Sequence, residues 1–484
     1  MRSMAQDHPP ARLTPPTPET LARFAAIVGD KHAIRDPAAQ TAYLREWRGL
    51  FTGKTPIVLR PGSTAEVAAI LALATETRTA IVPQGGNTGL VGGQIPHEDG
   101  AEVVVSLARL DKIRAVDPEG NTLVAEAGVT LQRIQEVADA ESRLFPLSLA
   151  SEGTCTIGGN LSTNAGGVAV LAYGNARDMV LGLEVVLASG EVWNGLKALR
   201  KDNTGYDLKQ LFIGGEGTLG LITAAVLKLW PKPAETTTAF VGLPDIEAVG
   251  AFFREARQRS GPALTAFEVM PALALSFLER HVAGARNPLS RPHNWYALMD
   301  IAGFQGDGDS ATLAEAIIGD ALESGLVEDA AIASSLDQQA ALWRLRESLP
   351  DTQRLEGGSL KHDVSVPIAL IPELIRRGNA LIENAMPGTR PLSFGHFGDG
   401  NLHYNVSQPP GMDGEEFMRR WWEISGPLYN LVLELGGSIS AEHGIGRLKR
   451  DQLVTVKSPV EIEMMRQIKR ALDPLGILNP GKVL

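Results

Sequence analysis

The chain has 484 residues, too many for one hydrophobic core, so two or three domains are expected. Its composition is globular, with 44% hydrophobic and 21% charged residues, and a net charge of −11 argues against a nucleic-acid-binding protein. One cysteine, Cys155, excludes internal disulfides and suits a reducing compartment.

Met1–Thr20 is polar and Pro-rich. It lacks a secretory core, and Asp7 and Glu19 speak against a presequence, so a loose arm and a cytoplasmic location are expected. Residues 20–50 read as helices, with Leu21, Phe24, Ile27 and Val28 at helical spacing after a cap at Thr20. From Ile57 to about Pro231, short apolar strands alternate with helices and glycine turns. Ile57–Leu59, Ala80–Pro83, Val103–Ser106, Leu123–Ala127 and Leu183–Leu187 are strands, and a helix capped at Ser63 or Thr64 runs to Thr75. Pro231-Lys232-Pro233 reads as a linker. A second α+β region follows, with a strand over Thr237–Leu243 and a helix over Ile246–Arg257, and an amphipathic helix over Val460–Leu472 closes the chain. No run approaches the roughly eighteen apolar residues of a membrane span.

Three glycine-rich segments lie in the first region: Pro83–Gly93, Gly153–Gly167 and Gly214–Gly220. None has Rossmann or P-loop spacing, and each alone reads as a turn. Backbone amides freed by glycine can nonetheless hold a diphosphate, and three such segments in one region favour a dinucleotide in an extended pose.

Near the C-terminal end stand Phe394-Gly-His396-Phe-Gly-Asp-Gly-Asn-Leu-His403 and Ser440-Ala-Glu442-His443-Gly-Ile-Gly446. Three of the nine histidines fall in these two runs. Two histidines and a glutamate can bind a divalent metal and leave a coordination position open, whereas a plain turn has no need of them.

These motifs together resemble the FAD-dependent D-2-hydroxyacid dehydrogenases, and the D-2-hydroxyglutarate dehydrogenases most closely, from about residue 50 to the C-terminus. The resemblance implies an α+β fold with a vanillyl-alcohol oxidase-type FAD-binding domain and an α+β substrate-binding cap. The expected division is an N-terminal helical segment (1–50), the FAD-binding domain (51–233), the cap (234–438) and a C-terminal segment completing the FAD domain (439–484). By the same resemblance Gly85, Gly86, Asn87, Thr88 and Gly89 wrap the FAD diphosphate. Gly153, Gly158, Thr163, Asn164 and Gly167 continue the cradle, with Glu216 and Ile222 near the adenine and ribose. His396, His403 and Glu442 hold a divalent metal, zinc, and His443 is the base. Arg346 and Lys361 match positions that bind substrate carboxylate, and Asn405 matches a substrate-side amide. The family pattern has a hydroxyl residue four positions after the arginine, where this chain has Pro350, so substrate identity is less secure than reaction type.

The chemistry agrees with the motifs. Oxidising a 2-hydroxy acid to the 2-keto acid removes a hydroxyl proton and a hydride from C2. A metal lowers the hydroxyl's pKa, a neutral histidine takes the proton, and a flavin takes the hydride. On the residues alone, Arg346 fits a solvated helix face beside Arg344 and Glu347 equally well, and Cys155 fits packing better than redox chemistry. No histidine lies in the glycine-rich segments, so FAD is expected to be non-covalent; His97, the nearest, reads as a surface loop residue. The rivals are D-lactate or glycolate dehydrogenase, a metal-dependent hydrolase acting on a nucleotide, and an inert flavin-binding subunit. The electron acceptor is open among quinone, flavoprotein and cytochrome, and a homodimer is an open assembly state.

Overall fold

The computed structural model describes residues 13–484; most of the arm expected to be loose lies outside them. The part within them is more ordered than expected. Thr17, whose hydroxyl accepts the Thr20 amide at 3.2 Å, caps a helix over Pro18–Val28, with Pro18 at the first position.

Three sheets organise the α+β fold. A four-stranded sheet runs in the order Ala33–Ile34, Val58–Leu59, Val103–Ser106, Ile81–Gln84. Its last three strands are parallel, and Val103–Ser106 is buried throughout, as a parallel strand covered on both faces must be. The covering helix, Thr64–Thr77, starts at Ser63, which accepts the Glu66 amide at 3.2 Å. A five-stranded antiparallel sheet follows: Ile113–Asp117, Thr122–Glu126, Leu221–Lys228, Val180–Val186, Val192–Gly195.

The expected linker Pro231–Pro233 begins at a short strand pairing. Trp230–Pro231 pairs antiparallel with Arg143–Leu144, so the chain is stapled to the first region as it leaves it.

The third sheet is antiparallel and eight-stranded. Its order is Asp329–Ile332, Glu235–Leu243, Trp295–Gly303, Leu264–Pro271, Arg390–His396, Asn401–Ser407, Ser359–Leu360, with Asp363–Ser365 also on Asn401–Ser407. Both faces are covered, which explains its long apolar runs. Val241, Phe267, Val269, Met299 and Ile301 pack with helices Ile246–Ser260 and Asp309–Glu323. On the other face Phe240, Met270, Tyr296 and Leu298 pack with Leu342 and Leu345 of the helix Leu336–Glu347.

The C-terminal end returns to the first sheet. The Ile81 amide donates to the Ile477 carbonyl and the Asn479 amide to the Ile81 carbonyl, both at 2.8 Å. Ile477 and Leu478 are fully buried in one core with Ile57, Ile81, Val103 and Val105. Lys482 is buried, with its Nζ 3.0 Å from Glu102 Oε1 and 3.3 Å from His97 Nδ1. His97 is therefore a half-buried, partnered residue rather than a free surface one. Among the described residues, no helix is long and apolar enough to cross a membrane.

Leu478→Ala removes a buried side chain far along the sequence from the strands it covers. The substitution should cost about 2–5 kcal/mol of unfolding free energy. Chemical denaturation of the two proteins checks this; a change under about 0.5 kcal/mol would mean the C-terminal end is not integral to the first core.

Candidate active site and metal centre

His396 ends the strand Arg390–His396, and His403 sits on the next, Asn401–Ser407, where it pairs opposite Phe394. Glycines at 398 and 400 turn the chain between them. Glu442 comes from the loop after helix Trp421–Glu434. Donor atoms of these three residues lie within 4.8 Å of one another. His396 Nε2 is 3.6 Å from Glu442 Oε1, and His403 Nε2 is 4.0 Å from Glu442 Oε2. Ligands at 2.0–2.2 Å from a shared tetrahedral ion stand about 3.3 Å apart, so the set is close to that geometry.

Two of the three members, His396 and Glu442, are oriented by other groups. Glu268 is fully buried; its Oε1 is 2.5 Å from His396 Nδ1, and its Oε2 accepts Arg346 Nε–H at 2.5 Å. Burial opposes its charge, but Arg346 and His396 win and hold the carboxyl down at about 2. His396 also moves against its burial: Glu268 and Glu442 raise it well above the ordinary value. Burial pushes His403 down to about 3, leaving the neutral imidazole that ligates metals. Glu442 Oε1 accepts the Gly167 amide at 2.6 Å, which ties the second glycine-rich segment to the site.

Asp363 fixes His443. Its Oδ2 accepts the backbone amides of Glu442 (2.9 Å) and His443 (3.0 Å) and lies 3.3 Å from His443 Nδ1. Its Oδ1 accepts from Asn401 Nδ2 at 2.9 Å. This arrangement leaves His443 Nε2 for a proton. The rings of His443 and His403 are nearly parallel, with centroids 6.1 Å apart.

Of the three residues expected on the substrate side, Arg346 joins this cluster through Glu268. Arg346 is buried and ion-paired, so the solvated-face reading fails for it; Arg344, two residues earlier, takes the exposed position. Only the Nε of Arg346 is engaged among the described residues, and its guanidinium lies over Phe394 at 4.9 Å. Lys361 Nζ donates to the Pro350 carbonyl at 3.2 Å, and burial, then Arg48, lowers it to about 8. Asn405 donates to Gln353 Oε1 at 2.9 Å.

The glycine-rich segments interlock. A Cβ on Gly86 would collide with the Thr154 carbonyl, so the first segment needs glycine there to lie on the second. Among the described residues, none of the amides of Gly85, Gly86, Asn87, Thr88, Gly89 and Leu90 donates a hydrogen bond. The Thr156 hydroxyl, opposite Gly85, is buried without a partner. A run of free amides beside an unpaired hydroxyl fits an anionic diphosphate. Elsewhere the donors are partly used. Gly158 donates to the Ala127 carbonyl, Thr163 Oγ1 to Gly159, and Asn164 Oδ1 accepts the Arg177 amide. Gly153 lies beside Gln132, and Ile222 packs in the core. Glu216 spends its carboxylate on the amides of Ile445 (2.7 Å) and Gly446 (2.8 Å), and burial raises it to about 7. Gly444, at φ +78°, is the residue that lets this carboxylate approach.

Sequence reasoning missed Glu268 and gave Asp363 no role. The available signal for Glu268 is that it is the lone charge in the apolar strand Leu264–Pro271. Cys155 is buried and free, as a packing residue would be.

Known proteins share this architecture. Residues 55–195 match the FAD binding domain model, and residues 232–483 match that of the FAD linked oxidases, C-terminal domain. The solved structure of p-cresol methylhydroxylase with substrate bound superposes with a TM-score of 0.75 over 96% of each chain at 18% identity. The fold is thus that of the vanillyl-alcohol oxidase-type flavoenzymes. At the sequence level the chain is 38% identical to the mitochondrial D-2-hydroxyglutarate dehydrogenase of Arabidopsis thaliana, over 95% of this chain and 80% of the relative. The corresponding Bos taurus protein is 40% identical over 96% of this chain and 83% of its own. The chain belongs to the FAD-dependent D-2-hydroxyacid dehydrogenase family.

Glu268 joins Arg346 and His396, and Glu268→Leu would leave both without this partner in a buried position. The loss should be about 3–5 kcal/mol, as expected when one partner of a buried pair is removed. Denaturant unfolding measures it, and a neutral outcome would show that the network is not strained by losing its centre.

Proposed function

We propose that the protein oxidises a D-2-hydroxy acid, 2-hydroxyglutarate or a close analogue, to the 2-keto acid, using non-covalent FAD and a divalent metal held by His396, His403 and Glu442. The observation that carries this reading is the convergence of those three donor sets beside Arg346 and His443. Two imidazoles and one carboxylate suit zinc and leave a position open. When bound, the flavin accepts the hydride from C2, and the metal lowers the hydroxyl's pKa.

The chain's own residues do the rest. His443 takes the hydroxyl proton at Nε2, with Asp363 beside Nδ1 stabilising the imidazolium. Glu268 holds His396 and Arg346 in one arrangement, so the metal and the substrate carboxylate are set relative to each other. Arg346 offers its terminal nitrogens to a carboxylate, with Lys361 and Asn405 as the further substrate contacts of this reading. The diphosphate rests on the amides of Gly85–Leu90. The FAD-binding domain in this reading comprises 51–233 and 439–484, with 234–438 as the cap. Family membership gives no support to a hydrolase. The lone cysteine supports a reducing compartment such as the cytoplasm, although the names of the two relatives place those proteins in mitochondria.

Anaerobic mixing with a panel of D- and L-hydroxy acids tests the reaction. D-2-hydroxyglutarate should bleach the flavin fastest. Metal content should fall by about one equivalent in His403→Ala with flavin retained, and His443→Ala should slow bleaching about 10²–10⁴-fold with metal retained. Bleaching by L-acids alone, or equal metal in wild type and His403→Ala, would overturn the proposal.

Lys361 gives a pH signature. Its ammonium is present below about pH 8 and is lost as pH rises through that value. KM for the hydroxy acid should therefore rise on the alkaline side. In Lys361→Met, KM should be raised throughout and the limb near pH 8 should be absent; an unchanged limb would free Lys361 of the role.

A further inference from the structure

The helix Leu336–Glu347, which carries Arg346, is poorly held by apolar contacts. Its first six residues, Leu336 to Ala341, are exposed except for Gln339, and Leu336 is 79% exposed. Its apolar anchors, Leu342 and Leu345, come only in the second half. Polar contacts on the same side reach three neighbouring strands in turn. Gln339 Nε2 donates to the Thr236 carbonyl on Glu235–Leu243. Trp343 Nε1 donates to Asp300 Oδ2 at 3.0 Å on Trp295–Gly303. Arg346 Nε donates to Glu268 on Leu264–Pro271. The spacing 339, 343, 346 is four then three residues, one stripe of a helix.

Strand alternation places the side chains of this network. Thr238, Asp300 and Glu268 share a face with Phe240, Leu298 and Met270, the face this helix covers. Glu268 is paired with Arg346 and His396, whereas Asp300, half-buried, has no cationic partner among the described residues: its Oδ1 accepts from Thr238 Oγ1 at 2.6 Å and its Oδ2 from Trp343. A carboxylate partly withdrawn from water without a cation carries a desolvation cost. Well-packed apolar residues would hold the helix more cheaply, but they would not fix its rotation and axial position through a directional N–H···O bond one turn before Arg346.

We infer that Asp300 and Trp343 are positioning residues for Arg346, setting the guanidinium's place relative to substrate through the Trp343 indole hydrogen bond. This rests on the reading of Arg346 as the carboxylate-binding residue. Asp300 touches no substrate; it acts through the helix.

The test is a double-mutant cycle on the FAD- and metal-loaded enzyme, with KM, kcat and the apparent Kd for the 2-keto acid product read from the flavin spectrum. Trp343→Phe removes the indole N–H while keeping an aromatic ring. It should raise KM and Kd about 10-fold and leave kcat within about threefold, because a displaced anchor weakens binding before it changes the reacting groups. Asp300→Ala should match it. Asp300→Asn keeps an acceptor for the indole and should restore values within about twofold of wild type. In an Arg346→Ala background, Trp343→Phe should add nothing further. If Arg346→Ala itself leaves KM and Kd unchanged, the carboxylate reading of Arg346 fails. If Arg346→Ala raises both but Trp343→Phe is silent, or its effect adds in full to that of Arg346→Ala, the positioning role is overturned while the reading of Arg346 stands. Asp300→Asn as damaged as Asp300→Ala would overturn the hydrogen-bond account.

Discussion

The site depends on one buried carboxylate shared between a guanidinium and an imidazole. Glu268 meets Arg346 on one oxygen and His396 on the other, each at 2.5 Å. Either contact alone would leave a charge uncompensated in the interior, which is why neither partner can move independently. Arg346 and His396, the residues proposed to grip a substrate carboxylate and a metal ion, thereby become parts of one unit, and Glu268 itself is fixed by lying mid-strand in the large sheet. Preorganisation of this kind costs stability at the site and relies on the packing of both sheet faces to supply it.

The loop bearing Glu442 and His443 is held in a comparable way by carboxylates from opposite sides. Asp363, paired with the strand Asn401–Ser407, accepts the amides of 442 and 443. Glu216, from the third glycine-rich segment, accepts those of 445 and 446. Asn479 then bonds the carbonyls of Gly93 and Glu216 at 2.9 Å each, so the C-terminal end closes the ring of contacts. Five stretches that are remote in sequence meet here because each supplies donors or acceptors that the others lack.

What the sequence conveyed was local, and what it withheld was pairing. The helix cap at Ser63, the apolar strands and the two His-rich runs follow from short-range pattern and chemistry. Glu268 did not, because its partners lie 78 and 128 residues away, and nothing nearby shows that a charge in an apolar strand is satisfied. Arg346 looked ambiguous for the same reason: Arg344 and Arg346 are equivalent by composition, and only the packing of the helix decides which is buried. Pro231–Pro233 had the composition of a linker, yet pairing of the adjacent residues with Arg143–Leu144 depends on where the chain has been brought by the sheet before it.

The carboxylates of the site also differ in how completely the protein answers them, and that difference bears on where a cation belongs. Glu268 has a guanidinium and an imidazole within hydrogen-bond distance. Asp363 has two backbone amides and the Asn401 amide. Glu442 has one strong donor among the described residues, the Gly167 amide, while the nearest nitrogens of His396 and His403 stand at 3.6 and 4.0 Å, beyond hydrogen bonding. Of these three carboxylates, Glu442 has the fewest hydrogen-bond donors among the described residues, and it is the one facing two imidazoles. An ion placed between them would supply the missing charge, and the same three donors would be too far apart to satisfy one another without it. This imbalance, more than the presence of histidines, supports a divalent cation at this point of the fold.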